Sequence, residues 1–432
     1  MNNLIEKLSE KLVPIASKLG QNKYLLVLRD AFMLAFPITM FGSLVVVINN
    51  LPFFSGELQG TLSTLFGNGQ NATMSIMTIF VTFGIGYYLS RTHEIDPVFG
   101  GAVSLASYLI LTPFEMITEG GEVVTGVLTL DRLGAKGMFV GMIAAFLAAE
   151  IYARITKRGI TITMPEGVPE AVARSFSAMI PAIITLSIFT LLNAAVIGLL
   201  NTNLHDLVYD TIQEPLTGLG SGLPATLIAV FFVQLLWFFG LHGQIIVNSV
   251  MDPIWNTTML DNLAAYEAGE PLPHIVTKPF MEMYTVGMGG SGSTLIVVIL
   301  LAFFMKSKQL NDVGRLALAP GIFNVNEPVI FGLPIVLNAT IFIPWVLAPL
   351  ITTAFNYIVM DLGIFPVPTG VSVPWTVPVF ANGMLATNSL MGGLLQLIDM
   401  AIIGVVWYPF LRILDRQNLA AQSPDMSVAE QQ

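Results

Sequence analysis

The chain of 432 residues contains no cysteine. Disulfides, thiolate metal sites and covalent chemistry on a cysteine of this chain are thereby excluded. Charge is scarce as well: Asp, Glu, Lys and Arg make up 11% of residues, against roughly 25% in a soluble domain. Basic residues are the rarer sign, 18 against 28 acidic, for a net charge of −10. No basic stripe is left for phosphates, which argues against nucleic-acid binding. What is abundant is apolar: 54% hydrophobic residues and a mean hydropathy of +0.75. With too little charge to coat a soluble surface, the chain reads as an integral membrane protein whose surroundings are a lipid bilayer.

A hydrocarbon core of about 30 Å calls for roughly 20 apolar helical residues. Such runs recur at 31–48, 72–89, 97–113, 137–153, 176–200, 223–241, 286–305, 335–360 and 389–411. Short alternating segments of the β-barrel kind are missing, so the fold class is an all-α bundle. Ahead of the runs, 4–19 sets Leu4, Ile5, Leu8, Leu12, Ile15 and Leu19 against Lys7, Lys11 and Lys18, the spacing of a helix lying in the membrane interface.

Lys and Arg mark cytoplasmic loops. They gather at the N-terminus, in 154–174 (Arg154, Lys157, Arg158, Arg174), in 306–315 (Lys306, Lys308, Arg315) and at Arg412 and Arg416. The 51–71 and 112–135 loops instead carry Glu57, Glu115, Glu119, Glu122 and Asp131 against Arg132. Both termini are therefore expected in the cytoplasm, which requires an even number of crossings. The sign pattern puts one further pass between 248 and 286, near the broken stretch 272–287, for about ten transmembrane helices. Four regions result: a cytoplasmic amphipathic segment (1–30), a five-helix scaffold or dimerisation half (31–200), a transport half (201–412), and a cytoplasmic tail (413–432), polar from 417 and expected to be disordered.

Irregular backbone is tolerated at membrane depth only where protein or a polar cavity surrounds it. Four stretches join apolar surroundings to helix breakers and polar groups: 237–244, 287–294, 319–328 and 366–378. All lie in the second half, which is where the transport site is expected. Glu327, followed by Pro328, is either a structural cap or a ligand contact, since a carboxylate among apolar runs is costly without a partner. His242, between Gly240 and Gly243, reads either as a satisfied buried histidine or as a group that approaches a ligand hydroxyl and handles its proton. His93, His205 and His274 read as solvated side chains. No HExxH or other metal-ligand spacing, no Gly-Lys-Ser/Thr after the glycines of 287–292, and no nucleophile elbow are present. Neither a metal nor a cofactor is expected. Asn324, Asn326, Trp237 and Trp375, with Glu327 and His242, suit a carbohydrate: hydroxyls need amide and charged acceptors, and sugar C–H faces lie on aromatic rings.

The stretches Trp237-Phe-Phe-Gly-Leu-His242-Gly, Gly289-Gly-Ser-Gly292, Gly321-Ile-Phe-Asn-Val-Asn-Glu327-Pro-Val-Ile-Phe-Gly332 and Pro374-Trp375-Thr-Val-Pro resemble the membrane (IIC) component of bacterial sugar phosphotransferase systems, in its lactose, cellobiose and diacetylchitobiose branch. The likeness also takes in Val168-Pro169 and Ser175-Phe-Ser-Ala-Met-Ile-Pro181. It implies a homodimer of ten-helix subunits in the bacterial plasma membrane, with re-entrant hairpins in the C-terminal half. It implies a β-linked disaccharide as substrate, phosphorylated by a phosphocysteine on a separate cytoplasmic IIB protein, since this chain has no cysteine. Glu327 and His242 would contact the hydroxyl that receives phosphate. Asn326 and Trp375 would contact the sugar rings, with Trp237, Asn324, Gly289 and Asn71 as further candidates. The alternatives from the residues alone are a secondary carrier moving the same sugar unmodified and a membrane-embedded hydrolase or glycosyltransferase.

Overall fold

The computed structural model describes residues 14, 17–18, 20–49, 54–118, 121–285, 287–333 and 335–422. The amphipathic stretch 4–19 falls largely outside them. Each apolar run holds a helix. In the first half these are α1 (Lys23–Asn49), α2 (Gly56–Asn71), α3 (Met77–Thr92), α4 (Pro97–Leu111), α5 (Met138–Lys157) and α6 (Glu170–Leu200). Between α4 and α5 a short antiparallel hairpin pairs Glu115–Ile117 with Val123–Thr125. The second half continues with α7 (Leu204–Gly220) and α8 (Leu223–Phe238), bent by 69° at their junction, and α9 (Gly243–Ala268). It closes with α10 (Leu295–Phe304), α11 (Lys308–Ile322), α12 (Glu327–Gly332), α13 (Ala339–Asp361), α14 (Ala381–Thr387) and α15 (Leu390–Gln422).

Six described helices are long and apolar enough to cross a bilayer, or seven if the bent α7–α8 pair is one span. The helix α10, with 10 residues, rises only about 15 Å, half the hydrocarbon thickness. It folds back on α11, where a side chain on Gly314 would strike the Ala302 backbone. The turn between them is fixed from the last helix: Asp415 Oδ1 accepts from the Lys306 and Ser307 amides at 2.9 and 2.7 Å. Two sequence readings are corrected. The segment after α8 is the continuous helix α9, whereas 272–279 has no regular structure beyond its last residues and Phe280–Thr285 makes a π-turn. The tail is not disordered from 413, because α15 runs to Gln422; residues 423–432 lie outside the described set.

Small residues let the first-half helices approach closely, the main route to helix association where lipid is as apolar as leucine. A Cβ on Gly86 of α3 would meet Ser104 and the Gly100 carbonyl of α4, and one on Gly84 would lie 3.0 Å from Ala31 of α1. The larger apolar core then runs from Phe32, Met138 and Phe189 to Trp255, Phe280, Tyr284 and Leu395, so both halves of the chain share it. A second core surrounds Trp345 and Trp407. The most apolar stretch of α6, by contrast, is only 11% buried. Gly86→Val is expected to lower the thermal midpoint of the detergent-solubilised protein, with overpacking costing about 1–3 kcal/mol. Gly60→Ala, where nothing lies within 4 Å, should not lower the midpoint and should raise it slightly, since Ala is the better helix former.

Candidate functional site

The four interrupted stretches are breaks in the folded chain, and they converge. At the first, Gly240 turns the backbone (φ +77°) and α9 begins at Gly243, packed so tightly on Val233 that no side chain fits there. His242 caps α9: its Nδ1 accepts from the Ile245 amide at 3.3 Å. The imidazole lies 4.4 Å from the Trp237 ring, centroid to centroid. Trp237 is 7% exposed, a floor under the histidine, whereas Trp375 is 49% exposed and offers its ring.

At the second break, Gly289 (φ +90°) and Gly290 (φ +86°) adopt a backbone that L side chains avoid. A Cβ on Gly289 would strike the Leu295 backbone, and one on Gly290 the Asn326 side chain. At the third, α11 ends at Ile322, Asn324 sits at φ +63°, and Glu327-Pro328 opens α12. The fourth, 366–378, is irregular throughout.

Asn324 joins three of these breaks. Its Oδ1 accepts from the Gly289 amide at 2.7 Å, and its Nδ2 donates to the carbonyls of Trp375 (2.6 Å) and Val377 (2.9 Å). Asn326 Nδ2 donates to the Ser291 carbonyl at 2.6 Å, and the Thr294 hydroxyl to the Gly289 carbonyl at 2.6 Å. These amides replace the helical partners that the broken backbone lacks.

Together the breaks border a cavity of about 720 Å³. Trp237, His242, Asn324, Asn326, Glu327 and Trp375 all line it. Gly289 does not, although its neighbour Gly290 does, and Asn71 stands exposed at the end of α2, away from the lining. Glu327 is exposed to the cavity and has no ion-pair partner among the described residues. Its carboxylate is close enough to act electrostatically on His242.

Sequence reasoning missed the opposite wall. There α1 contributes Arg29, Asp30 and Phe32, so the first half lines the cavity as well as supporting it. From α9 come Asn248, Asp252 and Asn256, and from the segment after it Lys278 and Glu282. Lys278 Nζ donates to Asp252 Oδ1 at 2.5 Å and lies 3.3 Å from Glu282 Oε1. Asn248, with its amide turned to suit both neighbours, accepts from the same ammonium at 3.1 Å. Removing one partner from such a buried pair typically costs 3–5 kcal/mol. A signal was present, since polar residues at 248, 252 and 256 share one helix face. Among the described residues no three His, Asp or Glu side chains gather as a metal-binding group.

Of the other histidines, read from sequence as solvated side chains, His205 is buried and His93 and His274 are only partly exposed, because the element ends that carry them fold against neighbours. His93 Nε2 lies 3.0 Å from Glu150 Oε1, and His274 Nε2 lies 3.2 Å from Asp261 Oδ2. His205 is 1% exposed and packs beside Tyr108.

Comparison with known proteins places these features. The family profile described as "Phosphotransferase system, EIIC" matches residues 29–349. The chain is 59% identical over 423 residues to the PTS system oligo-beta-mannoside-specific EIIC component of Bacillus subtilis (strain 168), covering 97% of this chain and 96% of that one. It is 36% identical to the PTS system cellobiose-specific EIIC component of Geobacillus stearothermophilus, covering 99% and 98% of the two. The crystal structure of the transporter ChbC, the IIC component from the N,N'-diacetylchitobiose-specific phosphotransferase system, superposes with a TM-score of 0.91 at 36% identity, over 96% of this chain and 99% of that one.

Asn324→Ala removes three hydrogen bonds and leaves buried backbone groups unpaired, each worth about 1–3 kcal/mol. It is expected to lower the thermal midpoint markedly, while Asn71→Ala leaves it unchanged; equal midpoints for the two variants would remove Asn324 from its joining role.

Proposed function

The chain belongs to the phosphotransferase-system EIIC family of multi-span membrane sugar permeases, and from that premise we propose that its central cavity binds a β-linked disaccharide or short oligosaccharide. The sugar is carried across the bacterial plasma membrane and phosphorylated by a IIB protein. The observation that carries this reading is the convergence of Glu327, His242 and Trp375 on one cavity of about 720 Å³, within the roughly 300–1,000 Å³ range of small-ligand sites. The sugars in the relatives' names, oligo-β-mannoside, cellobiose and diacetylchitobiose, share a β linkage.

In this reading the exposed Trp375 ring stacks on a sugar face. With Nδ1 occupied by the Ile245 amide, a neutral His242 carries its proton on Nε2 and donates to the acceptor hydroxyl's oxygen. Glu327, free of an ion-pair partner, takes the proton that the hydroxyl gives up. Phosphoryl transfer asks little covalent chemistry of the protein beyond such positioning. The absence of cysteine from this sequence supports a phosphocysteine donor carried on a separate chain. The exposed apolar face of α6 supports a homodimer formed through the first half, and the basic 154–174 loop supports cytoplasmic termini and a docking face for IIB.

Glu327→Gln is expected to keep disaccharide affinity within roughly tenfold, about 1.4 kcal/mol, and to cut phosphoryl transfer by about 10²-fold or more. Affinity, melting temperature and transfer from phosphorylated IIB are to be measured on one preparation; near wild-type transfer would exclude Glu327 from the chemistry. In proteoliposomes supplied with phosphorylated IIB the product should be sugar phosphate, and free sugar inside would mark an unmodified carrier instead. Neutralising Lys157 and Arg158 should slow transfer at low salt, where basic loops speed encounter. An unchanged rate would assign those charges to membrane orientation alone.

A further inference from the structure

Four carboxylates line the cavity, Asp30, Asp252, Glu282 and Glu327, against two permanent cations, Arg29 and Lys278. A phosphoryl group that comes beside Glu327 therefore needs a cation whose N–H groups are not already taken. Lys278 has none to give: an ammonium carries three donors, and its neighbours are Asp252, Glu282 and Asn248. Arg29 differs. A guanidinium carries five, and only Nε and Nη2 engage a partner, Asp30 Oδ1, at 2.9 and 2.7 Å. The Nη1–Nη2 edge is left without an acceptor among the described residues, and the side chain is 36% exposed.

Arg29 also stands on the side from which the phosphoryl group arrives in the reading above. Lys23, six residues earlier on α1, pairs at 3.1 Å with Glu150, one turn before Arg154 and the basic 154–174 loop assigned to IIB. From Lys23 to Arg29 the helix rises about 9 Å, which carries the guanidinium from that face to the cavity wall.

We propose that Arg29 is a further catalytic residue: its Nη1–Nη2 edge binds two phosphoryl oxygens as the group passes from the IIB cysteine to the sugar. The inference rests on the phosphorylating reading. During transfer the P–S bond breaks, its electron pair leaving with the thiolate, and the O–P bond to the sugar forms while the hydroxyl proton passes to Glu327. Two parallel N–H groups match two phosphoryl oxygens, a fit that the point charge of a lysine lacks. The guanidinium offsets the repulsion between the phosphoryl group and the Glu327 carboxylate, and steadies the charge of the transferring group. Asp30, bound along the neighbouring edge, holds the guanidinium plane in place.

The test is single-turnover transfer from phosphorylated IIB, varied to saturation, to cellobiose or mannobiose, whichever binds more tightly. It uses the full-length protein in lipid nanodiscs, with sugar affinity measured by calorimetry on the same preparation. Arg29→Ala is expected to keep that affinity within roughly tenfold, about 1.4 kcal/mol, and to lower the rate at saturating IIB by about 10²–10³-fold. Added guanidinium ion, or the charge kept in Arg29→Lys, should recover part of the loss. Near wild-type transfer by Arg29→Ala overturns the proposal. So does a loss that saturating IIB abolishes, which makes Arg29 a docking contact. A loss that neither guanidinium ion nor Arg29→Lys relieves overturns it as well, and makes the role structural. If the wild-type protein binds the sugar and forms no sugar phosphate, the phosphorylating reading itself falls.

Discussion

Every feature of the cavity depends on one constraint: peptide groups at membrane depth need partners, and the broken segments have surrendered their own. The Asn324 side chain, itself in a third, meets this need for two segments at once, by accepting from Gly289 and donating to Trp375 and Val377. Those bonds set the glycine loop against the start of α12, and so set where Glu327 stands relative to Trp375. Only an amide meets the demand, because one end must accept while the other donates twice. A carboxylate would offer acceptors to two carbonyls.

The two halves of the chain are less separate than their composition implies. Long unbroken helices in the first half mark it as scaffold, yet Arg29 and Asp30 of α1 face the cavity. The Ser43 hydroxyl of the same helix accepts from the Ser372 amide at 3.0 Å, tying α1 to the fourth break. The scaffold therefore positions that break directly.

Much of this was legible in the sequence, for reasons that also explain what was not. Apolar runs marked the helices because lipid demands them. Proline and glycine marked the breaks because each disrupts a helix in its own way. Helix α9 escaped notice because its cavity face carries Asn248, Asp252 and Asn256, which dilute the apolar signal a span is recognised by. The charge cluster escaped because Lys278 lies 26 residues from Asp252, a separation no local spacing rule covers. Asn324 looked like a sugar ligand by residue type, whereas its amide is taken up by backbone groups. Trp237 and Trp375 looked equivalent, and only burial separates the floor from the open ring.

The packing of His242 against Trp237 has a thermodynamic consequence. An imidazole held by a helix amide on one nitrogen and by an indole beside it has given up part of its rotamer freedom already. Immobilising a free side chain on binding costs about 0.5–1.5 kcal/mol, and part of that ordering entropy was lost here when the chain folded. Lys278, fastened between two acids, is in the same state. The exposed Glu327 carboxylate, with no ion-pair partner among the described residues, keeps that freedom.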